Sequence, residues 1–335
     1  MRKMFAYALT AMTALSAPSL ASADEFLKLD DTKGNAQFPN GDAQFNQLLG
    51  INNGRVIAGY FGDGSVVPNN GYVLVPSNHY SDENFLINGQ PALQTQAIGI
   101  SSQDTPWIVG FYTKNNGDGS MSTHGFVDIR GTQYTLDDPK GNLGNATNQN
   151  LLGIDSTGWL ASGFWMDSNN LAHGYVVDFN NGQFIEEGPD KIKNATQTQV
   201  AGVNDYGFIC GFWVDNSQAK GGPFTHGFFG YVGAALAPFD VVINGVKAVN
   251  TQATGCNNEG IIVGNYTEPD GDVHGFLYDW RHNAFYKYIA PGESQTATSI
   301  GGVKGTIING INDRGDFVGF YSDGVNVNGF VYFRS

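Results

Sequence analysis

The chain has 335 residues, with 31 Asp and Glu against 17 Lys and Arg for a net charge of −14, and it is rich in glycine at 46 residues. So acidic a surface, with no basic cluster anywhere, is repelled by nucleic-acid phosphate and by anionic membranes, which excludes nucleic-acid binding as a function class. With only Cys210 and Cys256, a disulfide framework is excluded and at most one bridge is left open.

The chain opens on Arg2 and Lys3, an Ala-rich apolar stretch over 4–20, and Ala21-Ser22-Ala23. A charged start, a short apolar run and a small-x-small site predict a secretory signal peptide over 1–23 and a mature start near Asp24. Thr10, Thr13, Ser16 and Pro18 interrupt the run, which falls short of the roughly 20 apolar residues a membrane span needs. No later run is longer, so the expectation is a secreted protein, extracellular or periplasmic, without membrane insertion.

From Gly50 onward one unit recurs. GINNGRVIAGYF returns in altered form from Gly99, Gly153, Gly202, Gly255 and Gly310, at spacings of 49, 54, 49, 53 and 55 residues. A second phrase follows each: NGYVLV from Asn70, HGFVDI from His124, HGYVVD from His173, HGFFGY from His226, HGFLYD from His274 and NGFVYF from Asn328. A third, short segment comes next: NFLI from Asn84, QYTL from Gln133, QFIE from Gln183, APFDVV from Ala237 and AFYKYI from Ala284. These short runs of Val, Ile, Phe and Tyr, bounded by Gly, Asn, Asp and Pro, are strand chemistry.

Each unit therefore reads as four strands: A ending on the Gly-Ile-Asn phrase, B the Ile-x-Gly-aromatic run, C the His-Gly-Phe run and D the short segment. Asn52, Ser101, Asp155, Asn204, Asn257 and Asn312 open the A–B turns. Gly54, Gly158, Gly207, Gly260 and Gly315 are expected to supply the positive φ there, and the second unit departs with Asp104 and Thr105. Four-stranded units of this length predict an all-β fold, a six-bladed β-propeller over 24–335. The last unit ends after strand C, and FLKLDD from Phe26 resembles the strand-D segment YTLDD from Tyr134. Residues 26–30 are thus expected to complete the sixth unit.

The repeated phrases resemble the HAF-type extracellular repeat of secreted bacterial proteins, with its Gly-Ile-Asn, Ile-Val-Gly and His-Ala-Phe phrases. Here Gly125, Gly174, Gly227 and Gly275 stand where that motif has Ala. The resemblance implies an exported repeat protein and brings no catalytic residue with it.

Two series carry candidate chemistry. His124, His173, His226 and His274 recur at one point, with Asn70 and Asn328 in the other two units. A metal-binding ring of imidazoles is one reading; a side chain satisfying a backbone group once per unit is the preferred one, because Asn serves that second role better than the first. The second series ends strand B: Phe61/Asp63, Trp165/Asp167, Trp213/Asp215, Tyr266/Glu268 and Tyr321/Asp323, with Tyr112 and Lys114 breaking it in the second unit. An aromatic face beside a carboxylate suits a sugar ring, and Trp165 and Trp213 are its strongest members. The plainer alternative packs the aromatics between units and uses the acids to start loops.

No cofactor is expected. Calcium is a weak candidate at Asp270-Gly271-Asp272 and Asp118, where the spacing of a full calcium loop is missing. Cys210 and Cys256 occupy positions held elsewhere by small core residues. The function these readings favour is a secreted, non-enzymatic binding protein with glycans as ligand, through Trp165, Asp167, Trp213, Asp215, Tyr266, Glu268, Tyr321 and Asp323. The alternatives are an extracellular hydrolase or lyase at the channel mouth, drawing on acids such as Asp137, Asp138, Glu186 and Glu187, and a scaffold for an extracellular protein. A catalytic site needs one unit or loop unlike its siblings, and the departures are the second unit (Ser101–Thr105, Lys114) and the longer D–A loops at Asn142–Asn148 and Gly292–Lys304.

Overall fold

The computed structural model describes residues 24–29, 45–62, 69–75, 79–215, 224–298 and 301–335; the expected signal peptide lies outside them. Strands A run over Phe45–Ile51, Gln94–Ile100, Gln149–Ile154, Ala195–Val203, Asn250–Cys256 and Thr306–Ile311. Strands B are Ile57–Gly62, Trp107–Asn115, Leu160–Met166, Phe208–Asp215, Ile261–Thr267 and Phe317–Ser322, and strands C are Asn69–Val75, Met121–Ile129, Ala172–Asp178, Phe224–Tyr231, Val273–Asp279 and Val327–Phe333. In repeats 1 to 5 strand D is His79–Asp82, Thr132–Thr135, Gln183–Glu187, Ala237–Phe239 and Ala284–Tyr288, each antiparallel to its own strand C.

Repeat 6 takes its fourth strand from the other end of the chain: Glu25–Lys28 lies antiparallel to strand C, with Phe26 opposite Tyr332 and Leu27 opposite Val331. In repeat 1 the expected strand D over 84–87 is corrected. The polar His79–Asp82 pairs with strand C instead, an outer edge where polar residues are tolerated, while Leu86–Ile87 turns back on Gln90–Pro91.

All six A strands shift register just before the leading glycine, a β-bulge repeated from Leu48/Gly50 to Ile308/Gly310. Glycine is required there because neighbouring repeats approach too closely for a side chain. A Cβ at Gly50 would lie 2.2 Å from the Ile98 carbonyl of repeat 2, and one at Gly310 2.6 Å from the Leu49 carbonyl of repeat 1.

In four of the six repeats the residue that opens the turn carries this contact outward. Asn52 Oδ1 accepts from the backbone N–H groups of Gly54 and Val56, while its Nδ2 donates to the Ser101 carbonyl of the next repeat at 2.8 Å. Asn204, Asn257 and Asn312 donate likewise to the carbonyls of Asn257, Asn312 and Asn52. The last of these joins repeat 6 to repeat 1. The positive φ falls on Gly158, Gly207, Gly260 and Gly315 as expected, but in repeat 1 it falls on Arg55 (φ 64°) and not Gly54. Arg55 is held there by Asp316 of repeat 6 at 2.9 Å.

Apolar residues pack between neighbouring sheets. Val109 and Val127 of repeat 2 meet Leu151, Trp165 and Tyr175 of repeat 3, and Phe208 and Cys210 of repeat 4 meet Ile262, Phe276 and Tyr278 of repeat 5. Ile51, Ile100, Ile154, Val203, Cys256 and Ile311, one from each repeat, line a common cavity. Among the described residues no helix is long and apolar enough to cross a membrane.

Candidate functional site

The strand-B aromatics sit on one rim, and the B–C hairpin register places each opposite the first residue of the His-Gly or Asn-Gly phrase. Trp165 faces His173, Trp213 His226, Tyr112 His124 and Tyr266 His274, while Phe61 faces Asn70 and Tyr321 Asn328. The indoles lie flat on the imidazoles, with centroids 4.3 Å apart for Trp165–His173 and 4.5 Å for Trp213–His226. Trp165 and Trp213 are each 8 % exposed, and Tyr266 and Tyr321 are buried as well. A histidine covers one face of each indole and the core takes most of the remainder. These rings therefore offer no open face on which a sugar could stack in this conformation.

The acids of the series are spent mainly on the loops they start. Asp167 Oδ1 accepts from the N–H groups of Asn169 and Leu171, and its Oδ2 lies 3.4 Å from His173 Nε2. Those backbone bonds hold its carboxyl below the usual carboxylate range. Asp323 caps Val325 and Asn326 and accepts from Asn328 Nδ2 at 3.0 Å. Glu268 accepts from Lys287 at 2.9 Å and from the Tyr266 hydroxyl at 3.0 Å, and Lys287 is the main cause of its lowered pKa. Asp215 ends strand B of repeat 4, half-buried; Asp63 lies outside the described residues.

Each histidine has a carboxylate partner from the segment after strand C, and not the backbone group expected of it. His124 Nδ1 lies 2.6 Å from Asp137, His226 Nδ1 2.7 Å from Asp240, His274 Nδ1 3.2 Å from Glu293 and His173 Nδ1 3.7 Å from Glu186. Burial opposes the charge on Asp240, yet bonds from His226 and Lys247 outweigh it and keep the carboxyl below its ordinary range. The imidazoles are thus tied within their own repeats, and a shared ring of ligands is not formed.

Repeat 2 adds a serine to this pair. Ser122 Oγ is 2.9 Å from His124 Nε2, so Ser122, His124 and Asp137 are connected like a nucleophile, base and orienting acid. Strand alternation could have revealed this, since Ser122 and His124 are two residues apart on one face. Two features separate the array from a working triad. Ser122 is 2 % exposed, and its hydroxyl donates to Asn116 Oδ1 at 2.9 Å, whose amide is fixed by donation to Ser120 and the Asn145 carbonyl.

The calcium candidates prove to be turn caps as well, Asp270 accepting from Asp272 N–H and Asp118 from Ser120 N–H. Among the described residues no group of three or more His, Cys, Asp or Glu side chains is placed to hold a metal ion. The opposite face, formed by the A–B turns, holds what the sequence reading missed. Trp159 is 46 % exposed and edge-on to Trp107, and a cleft of about 460 Å³ opens between repeats 1 and 2.

No family model matches the chain, and no curated protein matches it. Solved structures do. A sialidase of Trypanosoma rangeli superposes with a TM-score of 0.52 at 8 % identity, over 93 % of this chain and 60 % of its own. The β-propeller domain of the trilobed protease from Pyrococcus furiosus gives 0.47 at 10 % identity, over 86 % and 81 %. TolB from Acinetobacter baumannii gives 0.49 at 10 %, over 82 % and 63 %, so the chain spans less than two thirds of that protein and of the sialidase. At such identities the likeness concerns the fold alone. The chain is an all-β protein of the β-propeller class.

Proposed function

We propose that the chain is an exported six-bladed β-propeller that works as a ligand-binding protein and not as a hydrolase. The closed sequence of inter-repeat contacts, from Asn52 round to Asn312, supports six blades. The charged start and small-x-small site over 1–23 support export. The observation that carries the non-enzymatic reading is the burial of Ser122: among the described residues this serine is joined to a His–Asp pair but is shut in, and Asn116 Oδ1 competes with His124 Nε2 for its proton.

The reading is tested with a fluorophosphonate probe, which labels nucleophilic serines. No labelling of folded protein is expected, and modification of Ser122 would replace this reading with a hydrolase. Carbohydrate remains a second reading on a different surface, supported by the exposed Trp159 beside Trp107. A glycan-array screen with and without calcium, repeated on Trp159→Ala, decides it: selective binding lost in the variant supports that ligand class, and a blank array removes it.

A further inference from the structure

We infer that the cleft between repeats 1 and 2 is a binding site for a small amphipathic cation, an amine carrying an aromatic or aliphatic body; this rests on the binding-protein reading. The site arises where the repeat breaks its own rule. In repeat 1 the turn-opening Asn52 bonds to Val56, four residues on, whereas in repeat 2 Ser101 Oγ accepts from Trp107 N–H, six residues on. No residue between 101 and 107 takes a positive φ. Asp104 and Pro106 of the wider turn line a gap that faces Val56, Val73 and Val75 of repeat 1.

That gap has a volume of about 460 Å³, a size suited to a small organic molecule. Its walls are mainly apolar, with Val56, Val73 and Val75 from repeat 1 and Pro106 and Ile108 from repeat 2, beside the polar Asn52, Ser102 and Gln103. At its edge stands Asp104, exposed and without an ion-pair partner among the described residues. The nearby cation Arg55 is engaged by Asp316 of repeat 6, and the Gln103 amide donates to the Thr157 carbonyl of repeat 3. An apolar enclosure with one free carboxylate at its mouth complements a hydrophobic body bearing a positive charge. Repeats 1, 4, 5 and 6 use the four-residue turn and repeat 3 a five-residue one, from Asp155 to Leu160, so the six-residue turn and this site occur once among the six repeats.

Three fluorescent probes of similar bulk and different charge test the inference on the mature protein: dansylcadaverine as cation, N-phenyl-1-naphthylamine as neutral amine and anilinonaphthalene sulfonate as anion. Dansylcadaverine is expected to saturate at one per chain and to bind most tightly, with the anion weakest. Asp104→Asn should weaken the cation by about fivefold and leave the neutral probe unchanged. Val56→Phe and Val75→Phe, both half-buried at the cleft and so tolerant of bulk, should abolish binding of all three without shifting the unfolding midpoint. Equal binding of the three probes, absence of saturable binding, or binding that survives both Phe variants would overturn the inference. Because the serine probe reports on Ser122 and these dyes on the cleft, failure of the functional reading and failure of this site give different results.

Discussion

The side-chain amide of Asn312 donates to the backbone carbonyl of Asn52 at 2.9 Å, across 260 residues of chain. The same side chain accepts from the N–H groups of Arg314 and Asp316 at 3.0 Å, so one asparagine shapes its own turn and joins the last repeat to the first. Asn312→Ala strips three backbone groups of their partners, in two cases through buried bonds. A loss of about 2–4 kcal/mol is expected in equilibrium denaturation, with unfolding still cooperative. A loss below about 0.5 kcal/mol would mean that this contact does not hold the repeats together.

The N-terminal strand makes a second joint between the same two repeats. Phe26 packs on Phe330, centroids 5.7 Å apart, and on Tyr321; the Leu29 carbonyl accepts from Asn46 and Tyr80 of repeat 1. Asp24 takes bonds from the Tyr332 hydroxyl at 2.5 Å and the Ser335 N–H at 2.9 Å. Phe26→Ala should cost about 2–4 kcal/mol, as for a large ring removed from partial burial. Deleting 24–29 should cost more and expose strand C of repeat 6 to proteolysis. A deletion as stable as the parent would show that the strand is an ornament.

How much of this is legible in the sequence follows from the kind of information each feature needs. The phrases around Gly50 to Gly310 encode the turn and the bulge locally, so strands and repeat number stand in the sequence. The resemblance of Phe26–Asp30 to a strand D encodes the clasp. The site was harder. Trp165 and Asp167 look like a platform and an acid along the chain. Only the hairpin register, which sets Trp165 opposite His173, shows that the ring is already occupied. That register follows from the lengths of the B–C loops. The cleft depends on a turn two residues wider than that of its neighbour, a geometric consequence that no single residue type announces. Strand D of repeat 1 was misplaced because Phe85 and Leu86 are more strand-like than His79–Asp82, and edge pairing does not need apolar residues.

Glu83 gives the molecule a pH dependence. The residue is half-buried overall, but its Oε1 is shut off from solvent and has no hydrogen-bond partner among the described residues. Burial, with Asp128 and Asp82 nearby, pushes its pKa up from 4.5 to about 8. In the unfolded chain it ionises near 4.5. Between those values the unfolded state binds fewer protons, so the stability this group allows at low pH is lost as pH rises toward 8 and then levels off. Glu83→Gln should flatten that fall, seen as a smaller change in denaturation midpoint between pH 5 and pH 8. An unchanged slope would assign the dependence to other groups.

The two cysteines are free and buried in adjacent repeats. Burial, and after it the neighbouring Cys256 thiol, push the Cys210 pKa well up, so little thiolate forms at neutral pH. Folded protein should show no reaction with a thiol reagent over minutes, and denatured protein should show two thiols without added reductant. A count of zero in denaturant, restored to two by reductant, would mean that the chain forms the bridge the sequence leaves open.

Trp165 separates packing from recognition on the strand-B rim. Its ring fills the space between repeats 2 and 3, touching the cluster of Val109, Leu151 and Tyr175, so Trp165→Ala should cost about 3–5 kcal/mol. Its indole N–H, however, is buried with no acceptor among the described residues, as is that of Trp213. An unpaired buried donor is a cost of about 1–3 kcal/mol that phenylalanine does not carry. Trp165→Phe therefore trades lost ring area against removal of that donor and should fall within about 1 kcal/mol of the parent. The pair of denaturation curves discriminates: a large loss for both variants would mean that the N–H has a partner, while no loss for either would mean that the ring is not part of the core and stands free for a ligand.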